Sequence, residues 1–138
     1  MRVLISEKIH PSGIDILKNA GHEVITLSQR DQGELEEKIK GADALLVRIM
    51  NVTDKMMAEA PNLKIVSKHG LGMDNIDMNA AKDRGIAVTC TLTANSQSVA
   101  EHTWTMIMAL ARNLILSADM YKTIGFAAKA NCPLGAEI

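Results

Sequence analysis

Five short runs of aliphatic and β-branched residues recur at a pitch of about twenty residues, at Arg2 to Ile5, Glu23 to Leu27, Ala44 to Val47, Lys64 to Ser67 and Ile86 to Thr89. Each run has the length of a strand and falls short of a helix. Between them lie segments bounded by helix start and stop signals. His10-Pro11-Ser12 opens a helix that Gly21 closes, an acidic stretch runs from Asp31 to Gly41, and Thr53 and Asp77 are placed to cap two more, the last ended by Gly85. Parallel neighbours need a crossover of a dozen or more residues, which this pitch supplies. The pattern predicts an α/β chain with a flavodoxin-like, doubly wound, parallel five-stranded sheet.

The last unit reads as the most regular. Ser98-Val99-Ala100-Glu101 has capping-box spacing, and Ala100, Trp104, Ile107, Ala111 and Leu114 follow a helical period. A long helix over 98–118 is expected. Apolar residues spill beyond one stripe at Met106, Met108, Leu110 and Leu116, so this helix asks for burial on more than one side. Beyond Tyr121 the period fades, and Gly125, Pro133 and Gly135 punctuate what reads as a linker. The organisation expected is an α/β domain over 1–97, the helix over 98–118 and a linker over 119–138.

At 138 residues the chain has the size of one ordinary domain. Fifteen basic and sixteen acidic residues give a net charge of −1, which argues against a polyanion surface and hence against nucleic acid as partner. Cys90 and Cys132 fall in no metal or redox spacing, and the first residues carry no secretory-leader pattern, so a reduced, cytoplasmic setting is expected. The longest greasy run, Met106 to Ala111, is far short of the roughly 18 apolar residues of a membrane span. All three aromatics, Trp104, Tyr121 and Phe126, lie in the last third. The first hundred residues must therefore pack with aliphatics and methionine.

In open α/β sheets ligands bind beyond the carboxyl ends of the strands. Those positions hold Ser6-Glu7-Lys8, Arg48, Lys68-His69-Gly70-Leu71-Gly72 and the stretch from Cys90 to Ser98. Three cationic or switchable groups, Arg48, Lys68 and His69, thus share one rim with a glycine turn and a helix start. Such a rim suits a carboxylate or phosphate. Taken singly, Arg48 and Lys68 could be solvated strand-end residues, His69 could orient a loop, and Gly70 and Gly72 could serve only a tight turn. The glycines do not extend to a Gly-x-Gly-x-x-Gly dinucleotide fingerprint, because Asn75 stands where the third would be. Asp74 and Asp77 read as turn and cap residues rather than a carboxylate pair, and neither His10 nor His22 has a metal-ligand partner at helical spacing, so no metal site is expected.

Together, Lys68-His69-Gly70-Leu71-Gly72-Met73-Asp74-Asn75-Ile76-Asp77, Ala80-Ala81-Lys82-Asp83-Arg84-Gly85-Ile86 and Asn95-Ser96-Gln97-Ser98-Val99-Ala100-Glu101-His102 resemble the NAD-dependent D-2-hydroxyacid dehydrogenases, most nearly the phosphoglycerate dehydrogenases. The resemblance covers residues 1 to about 120. It implies a substrate-binding domain in which the turn matching Gly70, Leu71 and Gly72 offers backbone N–H groups to a substrate carboxylate, with Arg48, Lys68 and His69 around it. The family often has arginine where Lys68 stands, and lysine is a point charge rather than a fork. Asn95, Ser98 and Val99 match a segment that borders the nicotinamide. The cofactor, NAD with NADP not excluded, would be held mainly by a glycine-rich domain that follows, and the family's catalytic arginine, glutamate and histidine lie further on still. No catalytic residue is thus expected within the chain, which should be inactive alone, and Leu134 to Ile138 resembles the approach to that next domain.

Two other readings compete. A signalling receiver would want an acidic pair after the first strand and an aspartate ending the third, where this chain has Ser6-Glu7 and Val47-Arg48. A non-catalytic anion-binding module remains open. So does an association role, in which the helix over 98–118 joins copies into a homo-oligomer, a dimer being the simplest.

Overall fold

The computed structural model describes residues 1–138, which form two compact units, Met1–Leu92 and Thr93–Ile138. The first unit contains strands β1 (Arg2–Ile5), β2 (Glu23–Thr26), β3 (Ala44–Val47), β4 (Ile65–Lys68) and β5 (Ala87–Cys90), with helices α1 (Pro11–Asn19), α2 (Gln32–Lys38), α3 (Asp54–Ala58) and α4 (Met78–Asp83) in the crossovers. All pairings are parallel and the strand order is β2-β1-β3-β4-β5. This is the flavodoxin-like order expected from the pitch, with the direction of winding reversing between β1 and β3. The expected strands differ from the observed ones by one residue at most, within the ordinary scatter of element ends.

Side chains alternate across the sheet, so each strand splits its apolar residues between two faces. Leu4, Leu45, Val47 and Val66 point to one face, where they bury Leu35 and Ile39 from the second crossover, Met56 and Met57 of α3, and Ala80 and Ala81 of α4. Val3, Ile5 and Ala44 point to the other, against the partly buried Ile14 and Leu17 of α1. The second face is the thinner, because α1 alone covers it and no residue of α1 is fully buried. Towards β5 it opens, with Ala87 and Thr89 exposed and Thr89 Oγ1 donating to Ser67 Oγ at 3.2 Å.

The caps expected at Thr53 and Asp77 form, and Asp31 supplies another. Asp31 accepts from the Glu34 N–H at 2.7 Å, Thr53 from Met56 at 3.4 Å and Asp77 from Ala80 at 2.9 Å, each satisfying a donor that the first turn leaves free. His10 takes the same part for α1, and Gly21 follows that helix at φ 78°. Glu34 ties α2 to the end of β2, accepting from Ser28 and from Lys38 Nζ. The Lys38 hydrogen bond, followed by those of Ser28, lowers its carboxyl to about 2.

The second unit contains α5 (Ser96–Ala111), α6 (Leu114–Ile124), a 3-10 turn (Gly125–Ala127) and α7 (Ala128–Asn131). A long helix is present, but with other bounds than 98–118. It starts at Ser96 under Asn95, which makes no side-chain cap, so Ser98 and Glu101 form no capping box, and Glu101 instead accepts from Gln97 Nε2 at 2.9 Å. It ends at Ala111 because Asn113 takes a left-handed conformation, φ 50° and ψ 37°, that asparagine tolerates better than most residues. Residues 119–138 are not a bare linker either. The Ala136 N–H donates to the Ala111 carbonyl at 2.7 Å, and a β-carbon at Gly135 would stand 2.4 Å from that oxygen, so glycine is required for this return. No helix is long and apolar enough to cross a membrane.

Leu45→Ala removes a fully buried side chain between two sheet neighbours and should cost about 2–5 kcal/mol in urea denaturation, whereas Thr89→Ala on the open face should stay within about 0.5 kcal/mol. Glu34 has a folded pKa below its unfolded one, so its contribution is present above pH 4.5 and lost as the pH falls towards about 2. Glu34→Gln should therefore flatten that part of the acid-denaturation profile.

Candidate functional site

The carboxyl ends of β1, β3 and β4 converge because the three strands are neighbours, with Val47 in register with Lys68. From there two loops leave the sheet, 48–53 after β3 and 69–77 after β4. They are joined at Val52, whose N–H donates to the Asn75 carbonyl at 2.8 Å and whose carbonyl accepts from Asp77 at 2.9 Å.

Arg48 is exposed, and its side chain makes no ion pair or hydrogen bond within the protein. It lines the largest cleft, about 660 Å³, which runs over the ends of β1, β2 and β3 and also takes in Lys8 and Arg30. Neither of those two cations has a carboxylate partner. The cleft includes none of residues 68–72; the glycine loop opens to solvent beyond the end of β4.

Lys68 sits differently from Arg48. It is only 8% exposed, and Nζ donates to the Arg48 carbonyl and to Asn75 Oδ1. Two of its three donors thus serve the protein's own loops. His69 anchors its loop through its backbone, the N–H donating to the Val47 carbonyl at 2.8 Å, while its ring is exposed and makes no hydrogen bond with the protein. Gly70 has φ 146°, a conformation that favours glycine; its N–H turns back to the Lys68 carbonyl at 3.0 Å and its carbonyl accepts from Thr91 at 3.0 Å. The turn is therefore pinned to β3 on one side and to the end of β5 on the other. Beyond it the N–H groups of Leu71, Gly72 and Met73 donate to no protein acceptor. A β-carbon on Gly72 would lie 3.2 Å from Asp74 Oδ2, so a side chain there would push that carboxylate aside.

Two residues that sequence reasoning left without a role hold this region together. Glu7, noted only as part of the rim, accepts from the backbone N–H groups of Arg48 at 2.8 Å, Ile49 at 2.7 Å and Met50 at 2.9 Å, and from the Ser6 hydroxyl. Burial raises its pKa, but the Ser6 hydroxyl and the three N–H groups outweigh that and hold the carboxyl below 4.5. Asn75, noted only as a missing glycine, accepts from Lys68 and donates through Nδ2 to the Met50 carbonyl at 2.5 Å. The only advance signal was position, Glu7 lying just past β1 and Asn75 in the loop that follows β4.

Asn95, Ser98 and Val99 belong to the second unit. Asn95 precedes α5, accepting from the Val99 N–H through its carbonyl at 2.9 Å, and all three residues are exposed. No three His, Cys, Asp or Glu side chains gather where they could hold a metal ion.

Residues 3–132 match the family model described as D-isomer specific 2-hydroxyacid dehydrogenase, catalytic domain. The D-3-phosphoglycerate dehydrogenase of Methanocaldococcus jannaschii is 40% identical over 115 residues, 83% of this chain and 22% of that one. That of Mycobacterium tuberculosis is 39% identical over 113 residues, 81% of this chain and 21% of that one. The chain spans about a fifth of the length of these curated relatives. Among solved structures, the TT0316 protein of Thermus thermophilus matches with a TM-score of 0.80 and 28% identity, over 90% of this chain and 41% of its own. The NAD+-bound 3-phosphoglycerate dehydrogenase of Entamoeba histolytica matches with a TM-score of 0.72 and 28% identity, over 81% and 39%. With its strand order, its glycine loop and these matches in agreement, the chain belongs to the D-isomer-specific 2-hydroxyacid dehydrogenase family.

Proposed function

We propose that this chain is the substrate-binding portion of a nicotinamide-dependent D-2-hydroxyacid dehydrogenase of the phosphoglycerate dehydrogenase kind, and that it receives the carboxylate of a small 2-hydroxy or 2-keto acid. The observation that carries the reading is the loop from Gly70 to Met73: it is pinned to β3 and β5, yet three consecutive N–H groups, those of Leu71, Gly72 and Met73, have no acceptor of their own. Preorganised N–H donors of this kind are what a carboxylate needs. Arg48 supplies a free guanidinium one strand away, able to take an oxyacid by two parallel hydrogen bonds. Lys68 adds positive charge from beneath the loops, and His69 stands exposed at their edge. The cleft with Lys8 and Arg30 leaves room for the rest of an anionic substrate.

The cofactor in this reading is NAD, named for the Entamoeba relative. Asn95, Ser98 and Val99 fit one wall of a nicotinamide site, since they put two polar side chains and one apolar one, all exposed, at the first turn of a sixteen-residue helix. When bound, the nicotinamide would accept or give the hydride. The chain's own residues would hold the acid at its carboxylate end; proton transfer would fall to groups outside residues 1–138. An oligomer is part of the same proposal, because Trp104, Leu110, Leu114, Ile115 and Tyr121 on α5 and α6 are all more than half exposed.

Titration of the 138-residue chain with hydroxypyruvate and with 3-phosphoglycerate, followed by amide shifts, should move Leu71, Gly72 and Met73 first. Binding that leaves those amides unmoved would sink the reading. Arg48→Ala should weaken hydroxypyruvate roughly tenfold or more while leaving the urea midpoint unchanged. Gly70→Ala should cost about 1–3 kcal/mol of stability, because alanine resists φ 146°, and should weaken binding as well. Turnover of hydroxypyruvate with NADH by this chain alone would contradict the placement of the proton-transfer groups.

A further inference from the structure

The side chain of Arg48 is free, but the peptide groups on which it stands are held from both sides. On one side the carboxylate of Glu7 takes the N–H groups of Arg48, Ile49 and Met50 at 2.7–2.9 Å. On the other, Lys68 Nζ donates to the Arg48 carbonyl and Asn75 Nδ2 to the Met50 carbonyl at 2.5 Å. Asn75 also accepts from Lys68, so these two form one unit. Three consecutive N–H groups converging on one point make an anion site of their own, and here the chain fills it with its own carboxylate.

We propose that Glu7 and the Lys68–Asn75 pair are positioning residues for Arg48, forming a two-sided bracket that fixes the backbone of residues 48–50 and with it the point at the carboxyl edge of the sheet from which the guanidinium reaches into the cleft. The inference rests on the reading of Arg48 as the substrate anchor. It differs in assigning work to groups that touch no substrate. Glu7 does a second thing in this arrangement. By occupying the N–H groups of 48–50 it closes that anion site to a ligand and leaves the unpaired N–H groups after β4, those of Leu71, Gly72 and Met73 among them, for an incoming carboxylate.

The bracket accounts for features that otherwise stand apart. Lys68 is buried where a substrate-contacting cation would be exposed, because its ammonium is spent on the Arg48 carbonyl and Asn75. Asn75 interrupts the Gly-x-Gly-x-x-Gly pattern because its position needs a side chain with both a donor and an acceptor, which glycine lacks. Glutamate suits position 7 because one carboxylate can accept several donors at once. The other ionised residues lining the cleft beside Glu7 are cationic, Lys8, Arg30 and Arg48, and Lys68 Nζ donates to the Arg48 carbonyl from the far side of the 48–50 backbone.

The test uses the isotope-labelled 138-residue chain, hydroxypyruvate as the probe, and four variants: Glu7→Gln, Asn75→Asp, Arg48→Ala and the double variant Glu7→Gln/Arg48→Ala. In the wild type, the amide shifts of Arg48, Ile49 and Met50 should titrate together below pH 4.5; in Glu7→Gln they should be flat. Glu7→Gln should speed hydrogen exchange at those three amides roughly tenfold or more while leaving Leu45 in β3 unchanged. It should weaken hydroxypyruvate several-fold, and add nothing when Arg48 is already alanine, which simple loss of stability would not do. Asn75→Asp keeps an acceptor for Lys68 but deletes the donor to Met50, so it should loosen the same amides and carries the test if Glu7→Gln fails to fold. Unchanged exchange at 48–50, or a Glu7 effect of equal size with and without the Arg48 side chain, overturns the bracket. If the wild type binds no hydroxypyruvate, the proposed function fails, whereas the bracket is still decided by exchange and by the pH response of the three amides.

Discussion

Where a parallel sheet ends, the backbone must find new partners, and in this protein the partners found after β3 set up the whole carboxyl edge of the sheet. The strands β1, β3 and β4 finish side by side, so three segments leave the ladder within hydrogen-bond reach of one another. Buried or half-buried N–H and C=O groups left unpaired there would each cost a few kcal/mol. The chain meets that demand with Glu7 for the donors of 48–50 and with Lys68 and Asn75 for the acceptors. The side chain of Arg48 and the N–H groups of 71–73 are what that arrangement leaves without a partner in the protein. Position and availability thus come from the same set of hydrogen bonds.

The scaffold beneath is built without aromatic residues, since none occurs before Trp104. Val, Leu and Ile fill the strands, and Met50, Met56 and Met57 fill the spaces between sheet and helices. Methionine adapts to irregular gaps, which suits three short crossover helices of five to seven residues, α2, α3 and α4. The other face relies on α1, whose Ile14 and Leu17 remain half-buried while Ile16 is exposed. At the carboxyl edge, polar cross-links between loops add to the packing of Met50 and Val52 in the core.

The second unit shows the opposite balance. Its helices carry their apolar side chains outward, and only Ala128 among its residues is buried. Three threonine hydroxyls of α5 and α6 bond within their own helix, Thr103 to the Val99 carbonyl, Thr105 to Glu101 and Thr123 to Asp119, each at 2.8 Å, while the Ser117 hydroxyl pairs with Cys132 Sγ at 2.9 Å. Both helices thus meet their polar needs locally and present their apolar surface intact, the condition in which helices make interfaces.

The parallel five-stranded sheet and the caps at Thr53 and Asp77 were legible from residues alone, because the signals that specify them are local: short aliphatic runs, a crossover of sufficient length, and an Asp or Thr one position before a helix. The glycine loop was legible for the same reason, as Gly70 marks a backbone conformation that few other residues accept. Less could be read in the helix over 98–118, whose period runs straight through Arg112 although Asn113 breaks it, because a hydrophobic period does not register one left-handed residue. The tail could not be read at all, since its return to Ala111 depends on a carbonyl that the break exposes. At the site, sequence supplied the cations and the glycines as a group, but only the folded chain separated Arg48, which is free, from Lys68, which is buried and spent on carbonyls. It alone gave Glu7 and Asn75 their partners, some 40 and 25 residues away in sequence. Local pattern fixes which groups reach the carboxyl edge; which of them remain free for a ligand is decided by long-range hydrogen bonds that form only once the strands are side by side.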